Sequence, residues 1–227
     1  MNSPSKTTYP LRGMRSMIAG KMQQSLQQHA QLSYFAEFDA TALQNARQTY
    51  KDRDIKVGYE DLFIAALIPA LGQHPNLNGR ITEKEVELDS AIHVSVAVSL
   101  EAGLVAPTIF NTQDKTVLEI AEARRDVMQR AQNNKLTVPE MTDGTITISN
   151  LGVTPVQFFT PIINTPQLAI IGIGCVQQKP VLDEQKNIVF KPFIGLSLTA
   201  DHRWIDGAPA GFFLDSLCKQ LESISIS

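Results

Sequence analysis

Between residues 11 and 227 the apolar positions switch repeatedly between a helical spacing of three and four and a strand spacing of two. Such switching predicts an α/β fold, a mixed sheet with helices packed on it. Met14, Met17, Ile18, Met22 and Leu26 recur at helical spacing among Gln and Lys; they predict an amphipathic helix over 15–28 whose methionines fill core. Residues 32–39 alternate loosely and read as a strand, leading into a helix capped by Asp39 or Thr41 and reaching Tyr50. From 59 to 74, Leu62, Phe63, Ala66, Leu67, Ala70 and Leu71 share one broad face, a well-buried helix stopped by Pro75. Strand signals at 85–88, 92–100 and 104–109, around a turn at Gly103, predict a meander. A helix with a solvated charged face spans 115–133, and strands follow at 145–149, 167–176, 188–190 and 193–199. A helix over 208–224 closes the order.

Composition narrows the function classes. Apolar residues make up 43% of the chain and charged ones 19%, values of an ordinary globular protein, and no apolar run is long enough to span a membrane. The net charge of -3, with scattered lysines and arginines, offers no footprint for nucleic acid or an anionic bilayer. Cys175 and Cys218 lie far apart without metal-ligand spacing. Both read as small buried hydrophobes and not as nucleophiles, so no metal is expected and a reducing cytoplasm is. Residues 1–10, rich in Ser, Thr and Pro, read as a disordered or peripheral tail. The rest, 11–227, reads as one domain without repeat or linker.

Candidate chemistry concentrates in Asp201-His202-Arg203-Trp204-Ile205-Asp206-Gly207, directly after an apolar strand. An imidazole at a strand end with a carboxylate four residues on is placed for general-base work. The alternative is a hydrogen-bonded core histidine, with Asp206 serving as N-cap of the next helix. A second stretch, Gly144 to Gly152, ends an alternating strand in Ser149 and Asn150 before a turn. Its hydroxyl either satisfies that turn or is a free donor.

Taken together, five stretches in fixed order resemble the catalytic domain of the acyltransferase component of 2-oxo acid dehydrogenase complexes. They are Leu11 to Met22, Ala102 to Pro107, Gly144 to Gly152, Pro161 to Gln167, and Asp201 to Gly207. Chloramphenicol acetyltransferase is the more distant relative with the same fold and histidine stretch. The resemblance implies a trimer whose active sites lie between subunits, with His202 and Ser149 contributed by different chains. It implies transfer of a short acyl group between dihydrolipoamide and coenzyme A without an acyl-enzyme. His202 would remove the thiol proton; an ordinary imidazole of pKa ~6.5 beside a thiol of ~8.5 suits that task. Ser149 would stabilise the oxyanion, a contribution of about 3–4 kcal/mol in comparable sites. Asp206 would orient the histidine loop, with Arg15 as a conceivable partner, while Asp201 and Arg203 would be structural. No residue is singled out for coenzyme A. Phe158, Phe159 and the 102–107 turn are candidates for the acyl pocket.

The chain departs from the family's usual make-up in carrying neither a lipoyl nor a subunit-binding domain. The lipoyl group would then come from another protein or a missing domain, with dehydrogenase subunits as further partners. Its end, Leu221 to Ser227, is a thin version of the knob that joins trimers into cages, so a trimer is expected, with a larger core as the alternative. A free-standing acetyltransferase acting on a small hydroxyl or amine acceptor, and a non-catalytic assembly core, are the competing functions.

Overall fold

The computed structural model describes residues 7–100 and 103–226. The first six residues of the expected tail, Ala102 of the 102–107 turn and the last residue lie outside the described residues; residues 7–10 are exposed and without regular structure. In chain order the helices and strands are α1 (Met14–Gln28), β1 (Gln31–Asp39), α2 (Thr41–Asp52), α3 (Tyr59–Gln73), β2 (Gly79–Ile81), β3 (Val86–Leu88), β4 (Val94–Val96), β5 (Val98–Leu100), β6 (Gly103–Val105), β7 (Thr108–Ile109), α4 (Val117–Gln132), α5 (Val138–Thr142), β8 (Ile146–Asn150), β9 (Ala169–Leu182), β10 (Ile188–Asp201) and α6 (Gly207–Glu222).

Six strands form one mixed sheet in the order β1-β10-β9-β8-β4-β7. β8 runs parallel to both β9 and β4, and the remaining neighbours are antiparallel. Alternate residues of these strands point to one face, where Phe38, Ile146, Ile148, Ile171, Leu196 and Leu198 are buried in a core shared with Leu62, Phe63 and Leu67 of α3 and Phe213 and Leu217 of α6. Burying each such side chain contributes about 1.5–3 kcal/mol, so this face holds the domain together. Asp61, fully buried in the first turn of α3, ties that helix to α4: it accepts from the Gly58 amide at 2.7 Å and from Arg124 at 2.5 and 3.0 Å.

On the opposite face a loop over 151–168 lies flat on the sheet, and glycines make room for it. A methyl group on Gly172 would sit 2.7 Å from the Phe159 ring, and one on Gly174 or Gly195 would overlap the Gln157 carbonyl. The Cys175 amide donates to the Val156 carbonyl at 2.8 Å and the Leu151 amide to the Ile173 carbonyl at 2.9 Å, which anchors the loop.

The α/β class and most elements agree with the pattern. Three expectations do not. The strands over 85–109 form no meander: β3 pairs with β2, β4 enters the large sheet between β8 and β7, and β5 and β6 form a separate ribbon. Strand period alone cannot tell which partner a strand will take. The strands at 188–190 and 193–199 are one, because Pro192 is accommodated inside β10, paired with Gln178. Finally, the α1 methionines do not fill core: Met17 and Leu26 are exposed and Met22 lines a cavity.

Gly174→Ala should cost about 2 kcal/mol or more in chemical denaturation, because the added methyl meets backbone that cannot rotate away. Gly72→Ala, in α3 with open space around it, should gain about 0.5 kcal/mol in the same measurement.

Candidate active site

The segment after β10 alternates between residues the fold consumes and residues it leaves free. Asp201 is fully buried, and its amide donates to the Leu168 carbonyl at 3.0 Å. Arg203 folds back onto its carboxylate, donating from Nη2 at 2.6 Å and from Nε at 3.0 Å. Ile205 is fully buried, and Trp204 donates its indole N–H to the Asn76 carbonyl at 3.0 Å. His202 and Asp206 are the remainder. The His202 amide is fixed to the Ala30 carbonyl at 2.8 Å, while its side chain is 43% exposed. Nδ1 lies 3.8 Å from Asp206 Oδ1, too long for a hydrogen bond.

His202 is therefore not a hydrogen-bonded core histidine. Asp206 occupies the N-cap position of α6, but its carboxylate makes no capping bond and is 80% exposed. Arg15 is exposed and forms no ion pair with Asp206 among the described residues.

The buried, hydrogen-bonded histidine is His29, which sequence reasoning missed. It lies just past α1, outside any apolar period that would have marked it as interior. Its Nδ1 is 2.7 Å from Asp201 Oδ2 and its Nε2 2.5 Å from Thr165 Oγ1. A neutral ring satisfies both contacts, with Nδ1–H donating to the carboxylate and Nε2 accepting from the hydroxyl. Burial pulls this imidazole below its ordinary value, outweighing the opposite pull of Asp201. Burial would raise the Asp201 carboxyl, but hydrogen bonds from Arg203 and His29 hold it below the usual carboxylate range.

Ser149 sits elsewhere. It pairs with Gly172 of β9, which pairs with Ser197 of β10. His202, the residue just past the end of β10, lies five positions beyond Ser197, about 17 Å along the strand direction and two strand spacings, about 10 Å, across. Within one chain the two side chains are thus separated by roughly 20 Å. The structure brings His202 and Asp206 together and leaves Ser149 apart from both.

Ser149 faces a cavity of about 320 Å³. Ile18, Met22, Leu104, Phe159, Pro161 and Ile170 make its walls chiefly apolar. Thr147 also lines it, but the Thr147 hydroxyl donates to Gln167 at 2.5 Å and accepts from Asn164 at 3.2 Å. The Ser149 hydroxyl has no hydrogen-bond partner among the described residues. Of the acyl-pocket candidates, Phe159 and Leu104 to Ala106 line this cavity; Phe158 instead packs edge-on against Phe35. Neither cysteine is placed as a nucleophile: Cys175 is buried, and burial pushes the Cys218 thiol up to about 12. No helix among the described residues is long and apolar enough to cross a membrane.

Residues 3–226 match the model of the 2-oxoacid dehydrogenases acyltransferase (catalytic domain) family. The chain is 35% identical over 227 residues to the dihydrolipoyllysine-residue acetyltransferase component of the pyruvate dehydrogenase complex of Corynebacterium glutamicum. To the succinyltransferase component of the yeast Saccharomyces cerevisiae 2-oxoglutarate dehydrogenase complex it is 36% identical over 222 residues. Each match takes in 96% of this chain but only 34% and 48% of those relatives, so the chain spans a third to a half of their length. A probable dihydrolipoamide acetyltransferase from Listeria monocytogenes superposes with a TM-score of 0.90 at 29% identity, covering 98% of this chain and 97% of that one. A chloramphenicol acetyltransferase shares the fold, with a TM-score of 0.57 at 18% identity, covering 93% of this chain and 99% of the other.

Because the native state holds His29 neutral, its stabilisation is complete above the unfolded value of about 6.5 and is lost as the pH falls below it. Asp201 acts in the same direction below about 3.9. Unfolding free energy measured in denaturant should therefore fall between pH 7 and 5, and His29→Gln should flatten that slope.

Proposed function

This chain belongs to the family of 2-oxoacid dehydrogenase acyltransferase catalytic domains, and on that footing we propose that it moves a short acyl group between the thiols of dihydrolipoamide and coenzyme A. The observation that carries this reading is Ser149, an uncommitted hydroxyl in an apolar cavity wide enough for an acyl arm. His202 Nε2 is the ring nitrogen turned away from Asp206, and it takes the proton of the attacking thiol. Sulfur then bonds to the thioester carbon, the Ser149 hydroxyl donates to the oxygen that gains charge, and the old C–S bond breaks. The proton on His202 passes to the departing thiolate. Asp206, 3.8 Å from Nδ1, flanks the ring on the side away from the reacting thiol.

Separation of the two groups by some 20 Å supports a site completed by a second chain. We infer a trimer in which His202 of one subunit faces Ser149 of the next. In support, Phe35, Phe158 and Val153 are exposed on or beside the sheet face away from the helices, an apolar surface suited to a neighbouring subunit. The lipoyl group is supplied by a lipoylated protein or domain that the dehydrogenase partners of such a complex share.

Acyl-coenzyme A and free dihydrolipoamide provide the assay. His202→Ala should lower kcat by about 10²–10⁴-fold and Ser149→Ala by about 10²–10³-fold, with the fold intact by circular dichroism. Unchanged turnover in His202→Ala would defeat the assignment. If the two inactive variants are dissociated, mixed in equal amounts and reassembled, about a quarter of the interfaces pair an intact His202 with an intact Ser149. A return of activity towards that fraction is expected, whereas none should return if each chain holds its own site. Light scattering should give at least the mass of three chains; a single-chain mass would oppose the shared site.

A further inference from the structure

Among the described residues lining the cavity beside Ser149, one carries a charge. Four polar residues reach it, Lys21, Thr147, Ser149 and Asn164, and two of these are joined to each other by the Asn164 to Thr147 bond of 3.2 Å. A hydroxyl and an ammonium are left free among apolar walls. An acetyl group needs only the hydroxyl, and for it a half-buried cation is a desolvation cost without return.

Lys21 is held there by the fold. The Ser25 hydroxyl, one turn further along α1, donates to the Ile163 carbonyl at 2.6 Å and accepts from the Gln31 side chain at 3.0 Å. The Gln31 carbonyl in turn accepts from the Ile163 amide at 3.1 Å. This clamps α1 to the loop that supplies Pro161, Ile162 and Asn164, and Ile18 and Met22 on the same helix also line the cavity. Lys179, Lys191 and Lys219 each meet a carboxylate, but no described carboxylate pairs with Lys21. Burial draws its ammonium below the ordinary lysine value. The volume of about 320 Å³ is at the lower end for ligand pockets, too small for a nucleotide and adequate for a four-carbon acyl chain with its thioester.

We propose that this cavity selects acyl groups ending in a carboxylate, with the Lys21 ammonium as the receptor for that carboxylate and Ser149 at the thioester end. The proposal rests on the acyltransferase reading above and names its substrate class, a dicarboxylic half-thioester. Lys21 acts here as a specificity residue that touches the substrate far from the reacting carbon.

Succinyl-coenzyme A and acetyl-coenzyme A are the probes, used with dihydrolipoamide and the assembled protein. Wild type should favour the succinyl donor in kcat/KM by about 10- to 100-fold. Lys21→Met should bring that ratio near one, and Lys21→Arg should keep most of it. A wild-type ratio near one overturns the proposal. So does a ratio that survives Lys21→Met, including an equal fall for both donors, which would mean that the lysine supports the fold or reads the coenzyme instead. Calorimetry on wild type alone, comparing S-succinyl-pantetheine with its methyl ester, gives a second test independent of variant folding. Tighter binding of the free acid by about tenfold or more is expected, and equal affinity overturns the proposal. Should wild type transfer neither acyl group, the acyltransferase reading fails, and the calorimetric pair, repeated on Lys21→Met, still decides the role of Lys21.

Discussion

A carboxylate with no access to water, Asp201, has to be neutralised where it stands, since an uncompensated buried charge costs several kcal/mol. Arg203 reaches it from two residues away and His29 from the far side of the sheet edge, 172 residues earlier in the chain. These bonds fix the end of β10 and the exit of α1 in one stroke. Once Asp201 and Ile205 point inward, the residues between and after them must point outward, and this is why His202 and Asp206 are free. The His202 backbone is held by the Ala30 carbonyl while its own ring remains uncommitted.

The same economy governs the other end of the sheet. Thr147, Asn164, Gln167, Ser95 and Thr108 consume one another's hydrogen-bonding capacity in a row under the loop, whereas Ser149, one strand step beyond, is spared. Uncommitted polar groups in an otherwise satisfied interior mark the places where a ligand completes the structure. Strand register then acts as a ruler. Five residues of β10 and two strand spacings keep the histidine and the serine apart, and no side-chain rotation bridges that distance. A site placed between chains, as proposed above, would resolve this without distorting either end.

How far the chain could be read before its fold was known differs by element. The helix over 59–73 was legible because its apolar residues fill one face and Pro75 ends it. The stretch from Asp201 to Gly207 stood out as candidate chemistry because a histidine, two carboxylates and a glycine fall together after a strand. The pairings of β2 to β7 were not, since short strands with similar side chains carry little information about partners. His29 was also hidden: between a polar helix end and a strand, its burial depends on Asp201 and Thr165, which lie 172 and 136 positions away.

By itself the sequence determined the α/β class and the family and named candidate groups for chemistry, because these follow from period, order and residue type; it gave no sign of Lys21. Tertiary structure alone decided which of those groups are spent and which are free. Asp201 became a structural anchor, Asp206 an exposed neighbour of His202, and Lys21 a cation facing the Ser149 cavity. Such outcomes depend on burial and on partners from distant segments, and a buried charge or hydroxyl takes its role from whatever the fold brings within hydrogen-bonding distance.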